Sequence, residues 1–147
     1  MFFTKSFFTK YLRPFLIIGG LVTMYAGIYA INPETALKDM NNLAYHSDYL
    51  FLIRHWGIMV GLMGFFITLS AFIEQWQAPI MLYSFLEKLF MIYLYCSNLF
   101  NPETAHLNAE FIPFVVTDIT ICTYTLGYWF ERRQHSKPLK VNKNGAI

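Results

Sequence analysis

Four apolar stretches, residues 14–31, 50–73, 79–100 and 111–130, constrain this chain more than any other feature. About 20 apolar residues in a row are what a helix needs to cross ~30 Å of hydrocarbon. A chain in lipid must satisfy its own backbone groups, and a helix does so within one segment. The chain therefore reads as all-α: one integral membrane bundle of four transmembrane helices. Its balance agrees. It is 56% hydrophobic, 19% aromatic and 14% charged, against about 25% charged for a soluble domain, and its mean hydropathy is +0.39. Its 147 residues suffice for one domain. No basic stripe with interleaved aromatics points to nucleic acid.

Residues 1–13 are aromatic and basic, with Lys5, Lys10 and Arg13. A basic start before an apolar run also describes a signal peptide. This run is long for that role and its cleavage context is poor, so the reading is a retained first span with Pro14 in its first turn. The string Asn-Pro-Glu-Thr-Ala follows it at residues 32–36 and recurs at 101–105, after the third span. Repeated in equivalent places, it raises a two-fold internal repeat; chance or local convergence is the competing explanation. Locally, Asn caps, Pro takes the first helical position and Glu enters the positive first turn. A short interfacial helix over 33–40 is predicted, and a single turn after Pro102.

Ser47 or Asp48 is placed to cap the second span, and Trp56 fits an aromatic belt. Residues 74–78 read as a tight polar turn, with Pro79 opening span three and Pro113 near the start of span four. From Glu131 the tail is polar, basic and without periodicity, which reads as disorder over 131–147. Basic residues gather before span one and after span four, while the loops after spans one and three hold Lys38 alone. Both termini are then expected in the cytoplasm, and the chain in a cell membrane, the bacterial inner membrane. The basic tail reads first as an orientation signal with no lipid role; the alternative is that it also lies near anionic headgroups. Cys96 and Cys122 fall at different depths, so two free thiols are expected.

Small residues step along span one (Gly20, Thr23, Gly27, Ala30) and span two (Gly57, Gly61, Gly64, Thr68, Ala71) at three- and four-residue intervals. Such ridges allow close backbone approach in lipid. An intramolecular contact is favoured over a dimer face.

Span three carries Glu87 and Lys88 side by side in an apolar helix. A charge at mid-bilayer costs at least ~2.5–3.5 kcal/mol on insertion scales, so the pair needs partners. Asp118 in span four lies at a compatible depth by helical rise, and Arg54 and His55 stand near the entrance of span two. Glu87, Lys88, Asp118, Arg54 and His55 are read as one intramembrane polar cluster, with Asp118 pairing Arg54 or Lys88. The cluster either fixes helix register or serves a ligand. Ser84, Met91, Tyr95 and Asn98 share the polar face of span three and, with Tyr124, are candidate cavity-lining residues. No metal is expected: His46, Asp48, His55 and His106 match no ligand spacing. No nucleophile elbow, phosphate loop, CxxC or HExxH is present, so catalytic residues are not assigned.

The Arg54-His55-Trp56-Gly57 entrance, the Leu86-Glu87-Lys88 step and the acid in span four resemble the DoxX-like superfamily of small four-span bacterial membrane proteins. That resemblance implies a membrane subunit, in a few members one tied to sulfur–quinone electron transfer or oxidative stress. The leading expectation is a non-catalytic protein that binds a small lipophile, or an accessory membrane subunit. Its partners would be the bilayer, a lipophilic molecule and a homo-oligomer or larger membrane complex. No cofactor is expected, with quinone as the exception. The alternatives are a membrane enzyme or quinone-linked oxidoreductase subunit using Glu87 or Asp118 for proton transfer, and an oligomeric proton-coupled transporter.

Overall fold

A computed structural model describes residues 7–135 of the chain, and within them every regular element is helical. Helix α1 runs Phe7–Tyr25 and, after a turn at Ala26–Gly27, continues as α2, Ile28–Ile31. Helix α3 is Pro33–Asn41, α4 is Leu50–Ser70, α5 is Glu74–Asn98 and α6 is Ile112–His135. Short 3-10 segments, Ser47–Tyr49 and Ala105–Phe111, lead into α4 and α6. Four segments, Phe7–Ile31, Ser47–Ser70, Glu74–Asn98 and Ala105–Gln134, are long and apolar enough to cross a membrane. Their outward residues include Ile18, Val22, Phe51, Phe65, Phe90, Leu94 and Phe130. A girdle of that size suits hydrocarbon and would be a liability in water.

The spans pack as a ring in the order α1, α4, α5, α6 and back to α1. Leu12, Leu16, Ile67, Ala71, Met81 and Tyr128 form an apolar core at the end nearest Phe7 and His135. Ala26, Tyr29 and Ala36 form a second core at the opposite end, with Trp56 and Phe114 against it. The tightest seam is α1 against α4. A Cβ added at Gly64 would overlap the backbone of Met24, so only glycine allows this approach. The small-residue ridges thus meet each other within one chain.

Sequence boundaries shift at several points. Residues 7–13 belong to the first span, not to an N-terminal segment ahead of it, and Pro14 sits inside α1. The cause is tertiary. The Glu131 carboxylate accepts from Phe8 N (3.1 Å), Thr9 N (2.9 Å) and Thr9 Oγ1 (3.1 Å), satisfying N–H groups that a helix start leaves orphaned. The same contact corrects the start of the tail: α6 continues through Glu131 to His135. Residues 1–6 and 136–147 lie outside the described residues, and with them the rest of the expected tail. The predicted polar turn at 74–78 is instead the first turn of α5, so Pro79 also lies inside a helix. Trp76 packs on Phe66 there, with centroids 6.1 Å apart. Neither Ser47 nor Asp48 caps α4 with its side chain.

The two Asn-Pro-Glu-Thr-Ala strings fold differently. At the first, Asn32 accepts from Thr35 N at 3.3 Å, Pro33 opens α3 and Asn42 closes it in the left-handed region. At the second, Asn101 accepts from Glu103 N at 3.1 Å and the chain turns before its 3-10 segment. Pro33 is buried and Pro102 is exposed.

Candidate functional site

Midway along the bundle, α5 and α6 bring three charged groups together. Lys88 Nζ lies 3.2 Å from Asp118 Oδ1 and 3.1 Å from Glu87 Oε2. Lys88 and Asp118 are only 5% and 7% exposed. Consecutive residues point about 100° apart on a helix, so Lys88 turns inward while the Glu87 side chain stays 25% exposed. The Lys88–Glu87 contact lacks hydrogen-bond geometry, and Glu87 Oε2 has no donor.

Arg54 and His55 do not join this cluster. Both are exposed on the outside of α4, and His55 stacks on Phe51 (centroids 6.0 Å apart). The buried face of α4 is its glycine ridge, Gly57, Gly61 and Gly64, and Arg54 and His55 lie before it, in the first turns of the helix. Lys88 is therefore Asp118's ion-pair partner.

Next to the trio is a cavity of about 300 Å³. Lys88 and Asp118 form its polar wall; Thr23, Ala26, Val60 and Phe114 supply apolar sides, and Met40 of α3 roofs it. Val22, Tyr25 and Pro113 also line it and are exposed on the outside of the bundle. The cavity thus opens sideways between α1 and α6. These helices meet closely at the other end, where Phe15 stacks on Tyr124 at 3.6 Å and Phe8 packs edge-on to it at 5.2 Å. The roof is tied down. Tyr29 Oη donates to Asn41 Oδ1, and Asn41 Nδ2 donates to Glu110 O at 3.2 Å.

A smaller cavity of about 170 Å³ lies between α5 and α6 on the other side of Asp118. Met91, Tyr95 and Asn98 line it, as the helical face of span three predicts, and Phe114 and Asp118 border both cavities. Its outer end is closed by a polar knot. Asn98 Nδ2 donates to Thr104 O (3.0 Å) and to Asn108 Oδ1, and Asn108 Nδ2 donates to Tyr95 O (2.8 Å).

Two candidate lining residues sit elsewhere. Tyr124 lines neither of these cavities; its hydroxyl donates to Phe8 O at 2.7 Å and ties α6 to α1. Ser84 faces a narrow gap of about 10 Å³ between the helices, and its Oγ is buried without a partner. Thr23 is the residue sequence reasoning missed. Its place on a small-residue ridge reads as packing, yet it lines the larger cavity, is 5% exposed, and its Oγ1 has no hydrogen-bond partner.

Among the described residues no three His, Cys, Asp or Glu side chains converge as metal ligands, and His46, Asp48, His55 and His106 are not brought together. Cys96 is exposed and Cys122 buried, both as free thiols. Cys122 contacts Phe85 O through its sulfur at 3.7 Å. No family model matches the chain, and no characterised protein or solved structure is significantly similar to it.

Proposed function

We propose that this is a multi-pass cell-membrane protein that binds a small lipophilic molecule in the cavity between α1 and α6. The observation that carries the reading is a mostly apolar cavity of about 300 Å³ with a buried ion pair, Lys88–Asp118, on one wall. That is the lower end of the size range of ligand sites, about 300–1,000 Å³, and the pattern is theirs: apolar walls with a few placed polar groups. Intramembrane ionisable residues facing a cavity are functional candidates by default.

The orientation belongs to the same proposal. Lys5, Lys10 and Arg13 precede or begin the first span, and Arg132, Arg133 and three lysines end the chain. The positive-inside rule puts that end of the bundle in the cytoplasm, and the sideways opening then lies in the outer leaflet. A ligand would enter from lipid without crossing water. The DoxX-like likeness also bears on the role as a membrane subunit. Of its carriers, Glu87, Lys88 and the acid Asp118 meet in space, while Arg54 and His55 are exposed near the start of α4. One observation favours a second reading, proton-coupled transport: Asp118 borders both cavities.

Native mass spectrometry of the purified protein tests the binding reading. A co-purifying apolar species of low mass is expected on the wild type, and it is lost from Ala26→Leu, which fills the cavity. Retention by Ala26→Leu at the wild-type level, or no adduct after incubation with lipophilic probes, overturns it.

A further inference from the structure

We infer that the ligand is a lipophilic ammonium ion: a compact apolar body carrying a protonated amine, held with its N–H groups toward Asp118 and Thr23. This rests on the binding reading above and specifies its ligand class.

The first ground is charge. Two carboxyl groups, Glu87 and Asp118, share one ammonium group, Lys88. With all three ionised, the cluster is one positive charge short of neutral. Arg54 and His55, nearer the start of α4, are exposed and make no ion pair with it. Uncompensated charge in hydrocarbon is costly, and an organic cation supplies what is missing. An anionic head would double the deficit.

The second ground is hydrogen bonding. Among the described residues, the buried side-chain atoms without partners are Thr23 Oγ1, Ser84 Oγ and Glu87 Oε2, all oxygens. Thr23 Oγ1 belongs to a cavity-lining residue that is only 5% exposed. Carboxylates accept only, and hydroxyls accept readily. Lys88, the one strong donor on the cavity wall, already faces Asp118 Oδ1 at 3.2 Å and gives Glu87 Oε2 no hydrogen bond. The site therefore lacks donors, and an ammonium head brings up to three.

The third ground is the rest of the wall. Tyr25 and Phe114 line the same cavity. Aromatic faces within about 6 Å attract cations, so the sides favour the same head group as the floor.

The test uses three probes with one body and three heads: 2-naphthylmethylamine, 2-naphthylmethanol and 2-naphthoic acid. Binding is measured by equilibrium dialysis at pH 7 on the full chain in phosphatidylcholine nanodiscs, with empty nanodiscs subtracted. The amine is expected to bind about tenfold or more tighter than the alcohol, since a charge-assisted hydrogen bond is roughly twice as strong as a neutral one. The acid is expected not to bind above background. Thr23→Val should weaken the amine about three- to tenfold, the loss of one hydrogen bond, and Asp118→Asn should weaken it more. Alcohol or acid binding as well as the amine overturns the cationic assignment while leaving the cavity reading in place. Failure of all three probes overturns both. If Asp118→Asn does not fold, the wild-type ranking and Thr23→Val still decide, and an unchanged amine affinity in Thr23→Val counts against the site.

Discussion

Lys88 Nζ stands 3.2 Å from Asp118 Oδ1, and this contact joins α5 to α6 at mid-bundle. Both groups are almost wholly buried, so neither can be replaced by water. Removing one partner of a buried ion pair leaves the other charge uncompensated and costs about 3–5 kcal/mol, whereas replacing both with apolar residues is often neutral. Lys88→Met should therefore lower the melting temperature in detergent sharply, by the equivalent of about 3–5 kcal/mol. The double variant Lys88→Met/Asp118→Leu should recover part of that loss. A double variant as unstable as the sum of the two single ones would show that the pair is not coupled.

Arg54→Gln and His55→Gln should each change stability by less than about 0.5 kcal/mol, the usual size for exposed substitutions. Neither should alter probe binding. Their side chains lie on the outside of α4, and thermal melts of the two variants check this directly.

Gly64 and Gly19 differ in what a methyl group would meet. At Gly64 it overlaps the Met24 backbone, while at Gly19 its nearest neighbour is Ile121 Cγ1 at 4.0 Å. Gly64→Ala should split α1 from α4 and abolish a folded monomer by gel filtration in detergent. Gly19→Ala should fold normally and gain slightly from the better helix propensity of alanine.

Tyr124→Phe removes the hydroxyl that donates to Phe8 O but keeps the ring stacked on Phe15. A loss of about 0.5–1.5 kcal/mol is expected, the net worth of one hydrogen bond. Glu131→Gln keeps an acceptor for the orphaned N–H groups of Phe8 and Thr9 but drops the charge-assisted strength. Its loss should be smaller than that of Glu131→Ala, and both should show as faster hydrogen exchange at the start of α1.

Much of the architecture is legible in the sequence, because hydrophobic length alone identifies four spans and helical rise offers Asp118 two candidate partners, Arg54 and Lys88, of which the fold takes Lys88. The polar face of span three is legible too: Met91, Tyr95 and Asn98 line a cavity together. Other features depend on distant partners. Residues 131–135 look like the start of a tail until the Glu131 carboxylate is seen on Phe8, far away in the chain. Pro14 and Pro79 look like helix starts because proline is usual there, but tertiary contacts extend both helices past them. Arg54 has a side chain long enough to suggest it as a partner for Asp118, but it is exposed near the start of α4, before the buried glycine ridge begins. Thr23 carried no distinguishing signal, since a hydroxyl packed on a ridge and a hydroxyl lining a cavity are spelled by the same letter.

The seam between α1 and α6 joins the span made earliest to the span made last. During synthesis, α1 can pack against α4, and α4 against α5, as each emerges. The Glu131 contact with Phe8 and Thr9 waits for α6, and so do Asp118 and Phe114 of the cavity wall. Until then Lys88 has Glu87 beside it but no Asp118 across from it. Closing the ring with α6 therefore both gives Lys88 its partner across the bundle and completes the chamber.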